Sequence, residues 1–82
     1  MIRLLRATKK VAGYKQTMNT IEKGSAELVY LAKDAEEKIR TPILEACRVK
    51  GIPVVDSDSM NDLGKAVGIQ IGTAVAAIIK QI

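Results

Sequence analysis

With 82 residues, 48% of them apolar and 27% charged, the chain is long enough for one folded core and too ordinary in composition to be disordered throughout. Its single cysteine, Cys47, excludes an intrachain disulfide and fits a reducing compartment, so the cytoplasm is the expected location. The net charge of +4 is unevenly placed, with six bases against one acid in residues 1–24 and seven bases against eight acids in the remaining 58, which points to a polyanionic partner, nucleic acid before an anionic membrane surface.

Residues 2–10 read as a short helix, with Ile2, Leu5 and Lys9 about a turn apart, followed by a very short strand over 11–13. Residues 14–23 form an amphipathic helix: Tyr14, Met18 and Ile21 recur at i, i+4 and i+7 as its core face, and Gly24 supplies a stop. The run AELVYLA over 26–32 predicts a strand buried on both faces, in mid-sheet. Residues 34–40 read as a charged connection with at most one helical turn. Thr41 and Pro42 then offer a cap and a first position for a helix over 43–50, ended by Gly51. IPVVD over 52–56 predicts a second short buried strand, Pro53 marking its beginning or an edge, and 57–59 a turn. Ser59 is placed to cap a helix over 60–67, with Asp62 in its first turn and Gly68 as its stop. Residues 73–80 fit strand or helix by periodicity and are read as a strand running into a short terminal helix. This alternation predicts an α/β protein, a three-layer α/β/α sandwich around a small mixed four-stranded sheet, as one domain over residues 1–82.

Catalytic chemistry is hard to assemble from these residues. The absence of histidine removes the commonest general base and metal ligand, and leaves Cys47, on the apolar stripe of its helix, without an activating partner. Asp56, Asp58 and Asp62 lack the glycine and terminal glutamate of a calcium loop, so turn and cap duties are expected of them. Gly64, Gly68 and Gly72 recur every four residues, a spacing that suits neither a phosphate-cradling loop nor, outside a membrane, a helix-pairing motif. Residues 1–10 lack the apolar run of a secretory signal, and 66–79, interrupted by Gln70 and Thr73, fall short of the roughly 20 apolar residues that span a bilayer. No enzyme activity, no cofactor, no metal and no membrane partner are expected.

The informative stretch is 13–24. At 100° per residue Lys15, Gln16, Asn19 and Lys23 share one helical face, opposite Tyr14, Met18 and Ile21. Gly13 gives close backbone access to the helix N-terminus, whose free N–H groups attract phosphate. Lysine and glutamine suit base edges in an opened groove, although a solvent-facing polar side would carry the same residues. Tyr14 and Tyr30 are the only aromatics, too few for a multi-base stacking platform, so recognition would rest on shape and donors.

Gly13-x-Lys15-Gln16, Glu22-Lys23-Gly24, Leu28-Val29 before Ala32-Lys33-Asp34-Ala35, and the run from Leu63 to Gly72 (LGKAVGIQIG) resemble the L-seven-Ae and L-thirty-e group of ribosomal proteins, its small bacterial YbxF-like members above all. The resemblance covers nearly the whole chain from Val11 onward. It implies the three-layer fold and binding to the kink-turn, a sharply bent RNA helix containing tandem sheared G·A pairs. It implies that Gly13, Tyr14, Lys15 and Gln16 enter the groove beside those pairs, with Lys15 and Gln16 on the guanines, where archaeal relatives typically place Asn-Glu. Asn19 stands where relatives often have lysine, which puts one phosphate contact in doubt, and Lys23 where they have a base before glycine. Ile69, Gln70, Ile71 and Gly72 match the family loop that packs on a nucleotide turned out of the stack, whereas the residues by themselves read equally as the start of a buried strand. A monomer that binds RNA, ribosomal RNA or a riboswitch, is the expectation; a protein-interaction adaptor of the same fold is the alternative.

Overall fold

A computed structural model describes residues 2–80. Its elements, in chain order, are α1 (Ile2–Arg6), β1 (Lys10–Ala12), α2 (Tyr14–Glu22), β2 (Ala26–Ala32), α3 (Glu37–Lys50), β3 (Val54–Ser57), α4 (Met60–Val67) and β4 (Val75–Ile79). The four strands lie in the order β1-β4-β2-β3, with β4 antiparallel to both neighbours and β2 parallel to β3.

Alternation along the two central strands divides the core in two. Leu28, Tyr30 and Ala32 of β2 and Ala76 and Ile78 of β4 pack with Leu4 of α1 and with Leu63 and Ala66 of α4. Val29, Leu31, Val75 and Ala77 turn the other way, onto Ile21 of α2 and Ile43 and Cys47 of α3. The sheet is thus the middle layer of an α/β/α sandwich, as expected, and the apolar run of β2 is buried because both of its faces are covered. Ala26 breaks the alternation: its pairing with β4 slips between Ala26 and Leu28, and this irregularity moves it to the α2–α3 side.

Several boundaries differ from expectation. The first helix ends at Arg6 instead of running to residue 10, because Lys10 pairs opposite Ile78 and the Ile79 N–H donates to the Lys9 carbonyl at 3.0 Å. The Lys10 ammonium folds back to donate to the carbonyls of Leu4 and Leu5, at 3.3 and 3.1 Å, which the short helix leaves open. The third helix begins at Glu37, so Thr41 and Pro42 lie inside it and Thr41 donates to the Glu37 carboxylate at 3.2 Å instead of capping. Its early turns looked like a connection because Glu37, Lys38 and Thr41 face water. They are tied to the sheet by Arg40, which donates to the Ala32 carbonyl at 2.7 Å and to the Asp56 carboxylate at 3.3 Å. The third strand starts at Val54 and lies at the sheet edge, with only Ser57 buried; Pro53 stands just before it, as its missing N–H requires. The last strand begins at Val75, so residues 69–72 are loop, and continuation into a terminal helix beyond Lys80 lies outside the described residues. The fourth helix matches expectation: Ser59 accepts from the Asp62 N–H at 3.0 Å, and Gly68 closes the helix at φ 85°.

Candidate nucleic-acid interface

The antiparallel pairing of Ala12 with Ala76 brings the end of β1 and the start of β4 to one end of the sheet. Two segments therefore meet there: α2 begins directly after β1, and residues 69–74 lead directly into β4. A hydrogen bond from Gly13 N–H to the Val75 carbonyl, 2.9 Å, ties them together.

Gly13 takes φ 93° and ψ 156°, a left-side backbone conformation that a side chain would strain, although nothing lies near enough to block a Cβ. No side chain caps α2, so its first-turn N–H groups stay open beside Lys15 and Gln16. Tyr14, Lys15, Gln16, Met18, Asn19 and Glu22 line a shallow groove along the helix. Lys15, Gln16 and Asn19 are exposed, as predicted. The core face is not the one predicted. Thr17, Thr20 and Ile21 are buried, while Tyr14 is 37% exposed. Counting 100° per residue, the buried stripe is rotated by roughly 70° from the Tyr14-Met18-Ile21 direction. Threonine can occupy it because its methyl packs inward and, at Thr20, the hydroxyl donates to the Gln16 carbonyl at 2.9 Å. Lys23 is the C-cap residue, roughly 13 Å along the helix from Tyr14 by the 1.5 Å rise, and so stands apart from the first-turn residues.

Ile69, Gln70, Ile71 and Gly72 form an exposed loop, with Ile69 38% and Ile71 76% accessible. The reading of these residues as the start of a buried strand is overturned, because residues 71–73 turn back onto α4. The Ile69 N–H donates to the Gly64 carbonyl at 3.0 Å and the Thr73 N–H to the Met60 carbonyl at 3.1 Å. Thr73 is buried and its hydroxyl donates to the Val75 carbonyl at 2.9 Å. The four-residue glycine spacing now has a purpose. A Cβ at Gly64 would fall on the Ile71 carbonyl oxygen and within 3.1 Å of Gly72 Cα, and one at Gly72 would lie 3.1 Å from the Met60 carbonyl. Gly64 and Asp34, whose carboxylate accepts from the Met60 N–H at 2.8 Å, were not among the predicted site residues, and the glycine spacing was the one signal that pointed to either.

No three potential metal-ligating side chains gather among the described residues, and none of their helices is long and apolar enough to cross a membrane. Cys47 is buried in the α2–α3 core, where desolvation pushes its thiol up from its ordinary value, the opposite of nucleophile activation. Of the basic N-terminal residues, Arg3 is paired with Glu27 and Lys10 is engaged with α1.

A mixed sheet between two helical layers, with an uncapped helix start and an exposed apolar loop at one end, defines a binding domain of the ribosomal-protein type. The chain belongs to the Ribosomal protein L7Ae/L30e/S12e/Gadd45 family, whose family model matches residues 2–82. It is 46% identical over 69 residues, 84% of each chain, to RNA-binding protein TTE2299 of Caldanaerobacter subterraneus subsp. tengcongensis. It is 40% identical over 78 residues, 95% of each chain, to RNA-binding protein YbxF of Geobacillus stearothermophilus. Among solved structures, the Giardia lamblia 15.5kD RNA binding protein superposes with a TM-score of 0.84 at 32% identity, over 98% of this chain and 71% of that one. These names are those of RNA-binding and ribosomal proteins, not of enzymes.

Proposed function

We propose that this protein is a monomeric, cytoplasmic RNA-binding domain spanning residues 1–82 that recognises kink-turns in a ribosomal RNA, a riboswitch or a similar folded RNA. The observation that carries the reading is the meeting, through Gly13 and Val75, of an open helix N-terminus bearing Lys15 and Gln16 with the exposed loop of Ile69, Gln70, Ile71 and Gly72. The free N–H groups after Gly13 suit a backbone phosphate, and Lys15 and Gln16 suit the guanine edges of sheared G·A pairs in the opened groove. Tyr14 flanks that contact, Asn19 follows one turn on, and Lys23 serves a phosphate farther along. The two isoleucines, flanking Gln70 and turned by Gly72, supply an apolar surface for an unstacked base, the arrangement common in sequence- and shape-specific RNA recognition.

The test is a titration of a labelled kink-turn RNA against a control whose tandem G·A pairs are replaced by Watson–Crick pairs, at fixed physiological salt. Preference for the kink-turn is the expected result; equal binding to both would reduce the site to a basic surface. The adaptor reading has its own observation, an apolar groove lined by Met18, Ile21, Pro42, Ala46 and Val49 between α2 and α3. It requires a protein that co-purifies after nuclease treatment.

A further inference from the structure

We propose that Met60 is a third apolar wall of the base-binding loop, held in place by Asp34 acting as a positioning residue. This inference rests on the RNA-binding reading of the 69–72 loop and extends it to two residues outside that loop. Met60 opens α4 and, although apolar, is left 37% exposed, nearly the same as Ile69. It stands at the foot of the loop: its carbonyl accepts from the Thr73 N–H at 3.1 Å, and Gly72 passes so close that a Cβ there would touch the Met60 carbonyl. The unbranched thioether adapts its shape to a flat partner at little conformational cost, which suits a nucleobase face.

Asp34 explains why Met60 stays there. The aspartate lies just past β2, whose Ala32 N–H donates to the Ala74 carbonyl at 2.8 Å, and its own carboxylate accepts from the Met60 N–H at 2.8 Å. One acid therefore joins the end of β2, the start of α4 and the loop that α4 supports. An exposed carboxylate beside a phosphate-binding site opposes binding by charge alone, so removing it would raise RNA affinity if electrostatics were its only role.

The experiment compares Met60→Leu, Met60→Gln, Asp34→Asn and Asp34→Ala with wild type on two kink-turn RNAs, one intact and one abasic at the unstacked nucleotide, with the Watson–Crick control alongside and thermal melts to verify folding. Met60→Gln is expected to bind the intact RNA roughly 5- to 10-fold more weakly, consistent with losing part of a methionine's apolar burial, and the abasic RNA no differently from wild type. Met60→Leu should stay within about twofold on both, as a volume-conserving apolar exchange does. Asp34→Ala should reproduce the loss on the intact RNA alone, and Asp34→Asn, which keeps an oxygen acceptor for the Met60 N–H, should restore it. Equal losses on intact and abasic RNA, or no loss with Met60→Gln, would overturn the role of Met60. A gain in affinity for Asp34→Ala on both RNAs would overturn that of Asp34. If wild type itself did not prefer the kink-turn to the Watson–Crick control, the RNA reading and this extension of it would fall together.

Discussion

At the scale of single residues, the site depends on groups with different physical duties. Lys15 and Gln16 carry donors into solvent on a helix turn whose own N–H groups are open, so Lys15→Ala or Gln16→Ala is expected to cost roughly 1–3 kcal/mol of discrimination between kink-turn and control RNA. Binding isotherms on both RNAs measure this. Arg3→Ala and Lys10→Ala should leave the discrimination nearly intact, since Arg3 is neutralised by Glu27 and Lys10 is spent on the carbonyls of Leu4 and Leu5. Gly64 serves by having no side chain. In an exposed helix Gly→Ala normally stabilises by about 1 kcal/mol, but here the methyl meets the Ile71 carbonyl, and Gly64→Ala should instead cost roughly 1–3 kcal/mol in thermal unfolding. It should also weaken RNA binding through the displaced loop.

Among the elements, α2 shows how a helix can turn an unexpected face inward. Thr17 is fully buried and its hydroxyl has no hydrogen-bond partner, whereas Thr20 returns its own to the Gln16 carbonyl. Thr17→Val, of nearly the same shape, should therefore stabilise the protein by about 1 kcal/mol, a rise in melting temperature of roughly 4–8 °C for a domain of this size. RNA affinity should not change, because Thr17 lies on the face turned away from the groove. The α4 cap was readable in advance because Ser59 and Asp62 act within one turn, a purely local arrangement. The start of α3 was not, because Arg40 holds it through Ala32 and Asp56, partners distant in sequence.

For the whole molecule, topology decides where the basic N-terminal third acts. Lys15 and Gln16 lie at the β4 start, but Arg6 and Lys9 flank the junction where Lys9 meets Ile79, and Lys80 follows at the same opposite end, its N–H donating to the Ser25 carbonyl at 2.8 Å. All three are exposed and make no ion pair. Their charge acts at a distance without reading bases. The triple change Arg6→Gln, Lys9→Gln and Lys80→Gln is expected to weaken kink-turn and control binding in parallel and to flatten the salt dependence of both, with the ratio between them unchanged. Titrations at several salt concentrations test it.

Local signals in the sequence determined the element types, the buried β2, the Ser59 cap, the Gly68 stop, the exposed Lys15 and Gln16, and, by resemblance, the family. Each depends on neighbours a few residues apart or on a pattern that survives over the whole chain. The tertiary structure alone decided which face of α2 is buried, where α1 gives way to β1 and α3 begins, and that Ile69 and Ile71 stand in the open. An apolar run does not say whether it is covered; here Gly64 and Gly72 let the loop close onto α4 with its isoleucines outward, and only the path of the backbone makes that contact possible.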